Sequence, residues 1–151
     1  MTKNYHLAQI NIARMLAPID DPVMSDFVAN LPNINALAEQ SPGFVWRLQS
    51  DSGDATSIKV YDDDRIIVNL TVWESPAALR AYVYKSDHYG FLRDRKRWFE
   101  KVDGPYYALW WVPAGHIPST DEGKERLEHL RTHGESDYAF SFKKEFAAPV
   151  T

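Results

Sequence analysis

Cysteine is absent from the 151 residues, which removes disulfides, thiolate catalysis and zinc–thiolate sites. No apolar run approaches the roughly 20 residues that span a bilayer. The opening MTKNYHLAQI also carries no signal-peptide apolar region, so the expected setting is the cytoplasm with no membrane partner. There is no glycine-rich phosphate loop and no Gly-x-Ser-x-Gly elbow, so nucleotide use and serine hydrolysis are not expected. The formal charge of −4 speaks against a nucleic-acid partner, which asks for a basic surface. The basic group Arg93, Arg95, Lys96, Arg97 and Lys101 is diluted by Asp94 and Glu100 and reads as a solvated helix face.

What is present fits one globular domain over residues 1–151, with 44% apolar and 25% charged residues. The aromatic share is 13%, with five Trp and eight Tyr, and that excess must lie inside, at an interface or around a ligand. HLAQINIAR alternates as a first strand. Asp21–Pro22 opens a helix running to Glu39, with Phe27, Val28, Leu31, Ile34 and Leu37 on its apolar side and Pro32 expected to kink or split it. SPG at 41–43 stops that helix before the strand FVWRLQS. A short strand at SIKVY is followed by the strongest one, RIIVNLTVW, residues 65–73. Ser75–Pro76 starts a second helix with Leu79, Tyr82 and Val83 as its apolar face, and Asp87 caps a further segment reaching Lys101. YYALWWV is apolar on both faces, as a central or doubly covered strand would be. Ser119 and Glu122 form a capping box for a last helix that stops at Gly134, and DYAFSFK closes the chain as a strand. The order β-α-β-β-α-β, then α-β, predicts an α+β ferredoxin-like antiparallel sheet with an added C-terminal helix and strand.

The two sides of that sheet differ. Ile10, Ile12, Val68 and Leu70 are expected beneath the helices, leaving Gln9, Asn11, Asn69, Thr71 and Trp73 on the other face. Aromatics left in water would make an unusually large patch, and buried amides without partners cost about 1–3 kcal/mol each. A second copy closing over this face would cover it and leave a partly polar cavity, so a homodimer is expected.

Candidate functional residues concentrate in YVYKSDHYGFLRDRKRWFEK, residues 82–101. At helical spacing His88, Arg95 and Trp98 share a face with Phe91 or Leu92 and Phe99. His88 can serve as a general base or axial ligand, Arg95 as an anion clamp and Trp98 as a stacking wall. The competing reading satisfies His88 at a helix end and lets Arg95 snorkel over aromatic surface. Trp46, Trp73 and Trp110 are candidate ring contacts, with core packing as the alternative. Glu125, His129 and His133 have metal-helix spacing but no fourth partner, and read as a solvated face, so no metal is expected. Asp62, Asp63 and Asp64 lack calcium-loop spacing and read as a turn; His116 belongs to a loop and cap before the last helix, with a place on the cavity rim as the alternative.

NLTVWESPAALRAYVYKSDHYGF resembles the strand–helix segment of the dimeric α+β barrel superfamily, which includes antibiotic-biosynthesis-type monooxygenases. SPGFVW is similar to the turn that opens their second strand. VNLTVWES, ALWWVPAGHIP and DYAFSF together resemble an uncharacterised domain family of that superfamily. The resemblance implies a ferredoxin-like protomer, a barrel shared by two subunits, and a cavity between sheet and helices for a small hydrophobic or aromatic ligand. Some members oxidise aromatic quinols without a cofactor, which here would use His88 as base and Asn11 and Asn69 to hydrogen-bond the oxygenated intermediate. Others bind or degrade haem through a first-strand Asn, a Trp and a helical His, which Asn11, Trp73 and His88 match by element. A non-catalytic binding module for a hydrophobic metabolite is the reading from another class.

Overall fold

The computed structural model describes residues 4–49, 61, 63, 65–85, 97–101 and 104–149. β1 (Tyr5–Arg14) is buried along both of its alternating rows, as a strand sandwiched between two layers must be. The Asp21 carboxylate accepts from the Val23 amide at 2.9 Å and caps a 3-10 turn, Pro22–Met24, that runs on into α1 (Ser25–Gln40). The helix is not split at Pro32. The proline deprives the Val28 carbonyl of its donor, but both residues are exposed, so water can take that acceptor. Val28 consequently lies outside the buried stripe, which Phe27 and Ala38 anchor.

Gly43, at φ 85°, turns the chain into β2 (Phe44–Arg47). A Cβ there would fall 2.5 Å from the Ala78 Cβ, so both the backbone and the space demand glycine. β3 (Ile66–Trp73) follows; the Ser75 hydroxyl accepts from the Ala78 amide at 3.1 Å and Pro76 opens α2 (Pro76–Lys85). β4 (Tyr107–Pro113) leads to α3 (Thr120–His133), where Ser119 accepts from the Glu122 amide at 3.0 Å. The Glu122 carboxylate takes the Trp110 indole N–H at 2.9 Å and bonds His116 at 2.8 Å.

The sheet order is β2-β3-β1-β4 with every neighbouring pair antiparallel, the ferredoxin-like arrangement. β4 is therefore an edge strand, not a central one. It is apolar on both faces because both are covered, one by α3 and the other largely by Phe142 and Phe146 of the C-terminal tail. Its outer side is met by Phe140, which exchanges two backbone hydrogen bonds with Leu109 at 2.7 and 2.9 Å. The strand expected over DYAFSFK reduces to that single bridge. SIKVY up to residue 60, Asp62, Asp64 and residues 86–96, with Asp87, His88 and Arg95 among them, lie outside the described residues. Phe99 pairs with Met15 as an extended rung, so the helix expected to reach Lys101 does not include Phe99.

The amide face, expected to be left for a second copy, is covered by the chain's own helices. α1 and α2 are the two crossover connections, and crossovers of one hand fall on one side of a sheet. That side carries Leu7, Trp73 and Leu109 packed with Ala38 of α1 and Leu79 of α2, and it is the face bearing the amides. The Ala8, Ile10, Ile12, Val68, Leu70 row is covered by Leu127 and Leu130 of α3. The contact is close at Gly123, where an added Cβ would stand 2.8 Å from the Ile10 Cδ1. Alternation reports that a row is buried, not which element buries it.

Candidate functional site

A cavity of about 220 Å³ opens between the amide face and the helices α1 and α2. Its size exceeds the ~150 Å³ of an engineered apolar cavity that takes up benzene. β1 and β3 supply the floor through Gln9, Asn11, Asn69 and Thr71. α1 contributes Phe27, Leu31, Ile34 and Asn35; α2 contributes Leu79, Tyr82 and Val83. Phe99, Tyr106, Tyr107 and Phe142 close the far end. The floor is amide because these positions alternate on one face in two paired strands, with Gln9 opposite Thr71 and Asn11 opposite Asn69.

One hydrogen-bonded row joins the floor. The Trp73 indole N–H donates to Thr71 Oγ1 at 2.9 Å, and the Thr71 hydroxyl donates to Gln9 Oε1 at 2.9 Å. The Gln9 amino group donates to Asn11 Oδ1 at 2.8 Å, and Asn69 Nδ2 reaches the same oxygen at 3.1 Å. Asn11 Oδ1 thus receives two donors, which leaves its amino group and the Asn69 carbonyl oxygen for the cavity.

Arg47 is the one cation among the described lining residues, and no carboxylate is among them. Its guanidinium is paired with Glu39 at 2.9 Å. Burial pushes the Tyr82 phenol well above its ordinary value despite the opposing pull of Arg47, and burial likewise raises Tyr107. Both stay protonated near neutrality and cannot act as bases there. Among the described lining residues there is no carboxylate or imidazole to accept a proton near pH 7.

The sequence candidates separate clearly. Asn11 and Asn69 lie together on the cavity floor. Trp73 is fully buried one layer behind, stacked on Tyr82 at 5.1 Å and edge-on to Phe44 at 5.5 Å, and acts on the cavity through Thr71. Trp46 and Trp110 belong to the opposite sheet face, against α3, because their register pairs them with Val72 and Ala8. Trp98 is buried with Met15, Met24 and Phe27 beneath α1, since the chain at Phe99 is extended rather than helical. His88 and Arg95 lie outside the described residues. Arg47, Asn35, Tyr107 and Phe142 were not singled out by the sequence; no spacing rule links one residue from each of three elements and the C-terminal tail. On α3, the Glu125 carboxylate accepts from the Tyr138 hydroxyl and His129 packs on Tyr138 at 4.6 Å, so this face is partly occupied by the chain itself rather than solvated.

The donor set does not fit haem through the described residues. Of the trio Asn11, Trp73 and His88, Trp73 sits behind Tyr82 and Thr71, and no described histidine lines the cavity. No group of three metal-ligating side chains occurs among the described residues. None of the described helices is long and apolar enough to cross a membrane.

The profile of a family described as "Domain of unknown function (DUF3291)" matches residues 6–151. Among curated proteins nothing matches the sequence. Similar solved structures include PA3566 from Pseudomonas aeruginosa, at 14% identity over 75% of this chain and 97% of that one, with a TM-score of 0.49. SnoaB, a cofactor-independent oxygenase from Streptomyces nogalater, is 16% identical over 74% of this chain and 95% of its own, with a TM-score of 0.48. A monooxygenase from the gene ActVA-Orf6 of Streptomyces coelicolor, in complex with the ligand Nanaomycin D, is 16% identical over 78% and 96%, with a TM-score of 0.45. Likenesses at this level assign no residue role and no activity to this chain.

Proposed function

From a chain that belongs to the DUF3291 family, whose description assigns no activity, we propose a pocket protein for a small planar aromatic or quinone-like compound. The observation that carries this reading is the unequal lining of one cavity: a row of amides below, aromatic and aliphatic side chains above, and no carboxylate among the described lining residues. A flat ring fills the space between Tyr82, Phe99 and Phe142, and its carbonyl or phenolic oxygen accepts from the Asn11 amino group. Titration with 1,4-naphthoquinone, followed by quenching of tryptophan fluorescence, tests it. Saturable quenching that weakens in Asn11→Ala and persists in Trp46→Phe is expected. Quenching that is non-saturable, or indifferent to Asn11, ends the reading.

A second reading is favoured by the same Asn11 amino group, a donor that could stabilise an oxygen anion in a largely apolar chamber. In it a bound phenol gives its proton to His88, dioxygen oxidises the ring, one oxygen atom becomes the new carbonyl and the other leaves as water. Phenol plus dioxygen then balances quinone plus water, and no cofactor enters. Oxygen uptake with a panel of hydroxynaphthalenes, lost in His88→Ala, tests it; a bound hydroxynaphthalene that never turns over leaves a binding module. Self-association, expected from the sequence, would have to use a surface other than the amide face, which the chain's own helices cover.

A further inference from the structure

We infer that Trp73, Thr71 and Gln9 form a one-way hydrogen-bond relay that fixes which end of the Asn11 carboxamide faces the cavity, so that Asn11 presents its amino group as a donor to a ligand's acceptor oxygen. The inference deepens the ligand-pocket reading above and rests on it for its functional meaning, although the relay itself can be observed without ligand.

A carboxamide is nearly symmetric in shape, and its two ends exchange roles by a half-turn. Something that cannot reverse must set the direction. The indole N–H of Trp73 only donates. It is fully buried and clamped between Phe44 and Tyr82, so it cannot turn elsewhere. Thr71 Oγ1 accepts it, which commits the Thr71 proton to the one remaining neighbour, Gln9 Oε1. With its oxygen held there, Gln9 presents its amino group to Asn11 Oδ1. Asn69 Nδ2 adds a second donor to that oxygen. The Asn11 amino group is the end left over.

Reversal fails at its first step. Were Gln9 turned round, Thr71 would receive donors from both sides and its own proton would have no acceptor. The orphan would be the Thr71 hydroxyl proton, and Thr71 is only 5% exposed, so the reversed row is disfavoured. The relay members are positioning residues, since none but Asn11 needs to touch ligand. The row also follows the pleat: Gln9 and Asn11 are two apart on β1, Thr71 and Trp73 two apart on β3, and the cross-strand register aligns them.

Neutron diffraction from deuterated crystals of the ligand-free protein distinguishes the two ends of a carboxamide. The wild type is expected to show the Asn11 nitrogen towards the cavity. Thr71→Val severs the relay and should give mixed Asn11 orientations, while Thr71→Ser restores the hydroxyl and a single one. Titration with 1,4-naphthoquinone alongside should show roughly tenfold weaker binding in Thr71→Val, recovered in Thr71→Ser. An Asn11 oxygen towards the cavity in the wild type, or an unchanged single orientation in Thr71→Val, overturns the relay. Failure of the wild type to bind the quinone, with the orientations as expected, overturns the pocket reading and leaves the relay standing.

Discussion

Replacing Thr71 by valine should destabilise the protein, although strand propensity argues the other way. The two side chains have nearly the same shape, and valine is a good strand former, which is worth a few tenths of a kcal/mol. The hydroxyl, however, serves two buried partners at once. Without it the Trp73 indole N–H, in a fully buried ring, and the Gln9 carbonyl oxygen, in a residue 8% exposed, both lose their partner. Each unsatisfied buried group costs about 1–3 kcal/mol. Gln9 borders the cavity and can turn partly towards water there, which recovers some of its share. A net loss of about 2–3 kcal/mol follows. For a chain of this size that lowers the melting temperature by roughly 4–12 °C. Thr71→Ser keeps both hydrogen bonds and removes one methyl, so its loss should be about 1 kcal/mol. Urea denaturation of the three proteins, with equal m-values, reads the difference directly. Wild-type stability in Thr71→Val would show that the row contributes nothing to folding, and the serine variant guards against mistaking a packing effect for it.

Gly43→Ala combines a left-handed backbone, about 1–2 kcal/mol, with an overlap against the Ala78 Cβ. Overpacking adds about 1–3 kcal/mol, and thermal unfolding should register the sum. Asn11→Ala should weaken 1,4-naphthoquinone binding about five- to tenfold, read by fluorescence titration, as expected for one hydrogen bond of about 1 kcal/mol. Alkaline pH should destabilise the fold through its buried phenols. Burial raises Tyr82, and burial with the nearby Glu128 carboxylate raises Tyr61 to about 12. The folded state thus holds these protons more tightly than the unfolded chain, whose phenols titrate near 10. Their stabilisation is complete below about pH 10 and falls as pH rises through the folded values. Tyr82→Phe and Tyr61→Phe should each flatten the loss between pH 10 and 12 in denaturant melts; an unchanged profile would refute the assignment.

Much of the architecture is legible in the chain because its signals are local. Alternation marks β1 and β3; Asp21–Pro22, Ser75–Pro76 and Ser119 mark helix starts through side chains that accept from backbone amides two or three residues on. What the chain hides is which layer covers which row. Ala8, Ile10 and Ile12 read as helix-covered, and they are, but by α3 rather than by the two crossover helices. Cover on both faces moves the amides from a face awaiting a twin to the floor of the chain's own cavity. It also carries Trp46 and Trp110 away from the site while leaving Asn11 and Asn69 in it. Trp98 was placed by a helical period that does not hold at Phe99, whose partner Met15 lies far away in sequence. Arg47, Tyr107 and Phe142 reach the cavity only through tertiary placement, which no spacing encodes.

The tail that follows α3 holds two posts. Through Phe140 it occupies the outer margin of β4, the kind of open seam on which foreign chains stack into fibres. Two residues later Phe142 walls the cavity, held by its amide on the Tyr107 hydroxyl at 3.0 Å and flanked by the Arg80–Glu145 ion pair. Peeling this tail away would admit a guest and bare the seam in one movement, so any such opening for ligand exchange carries a matching exposure to aggregation.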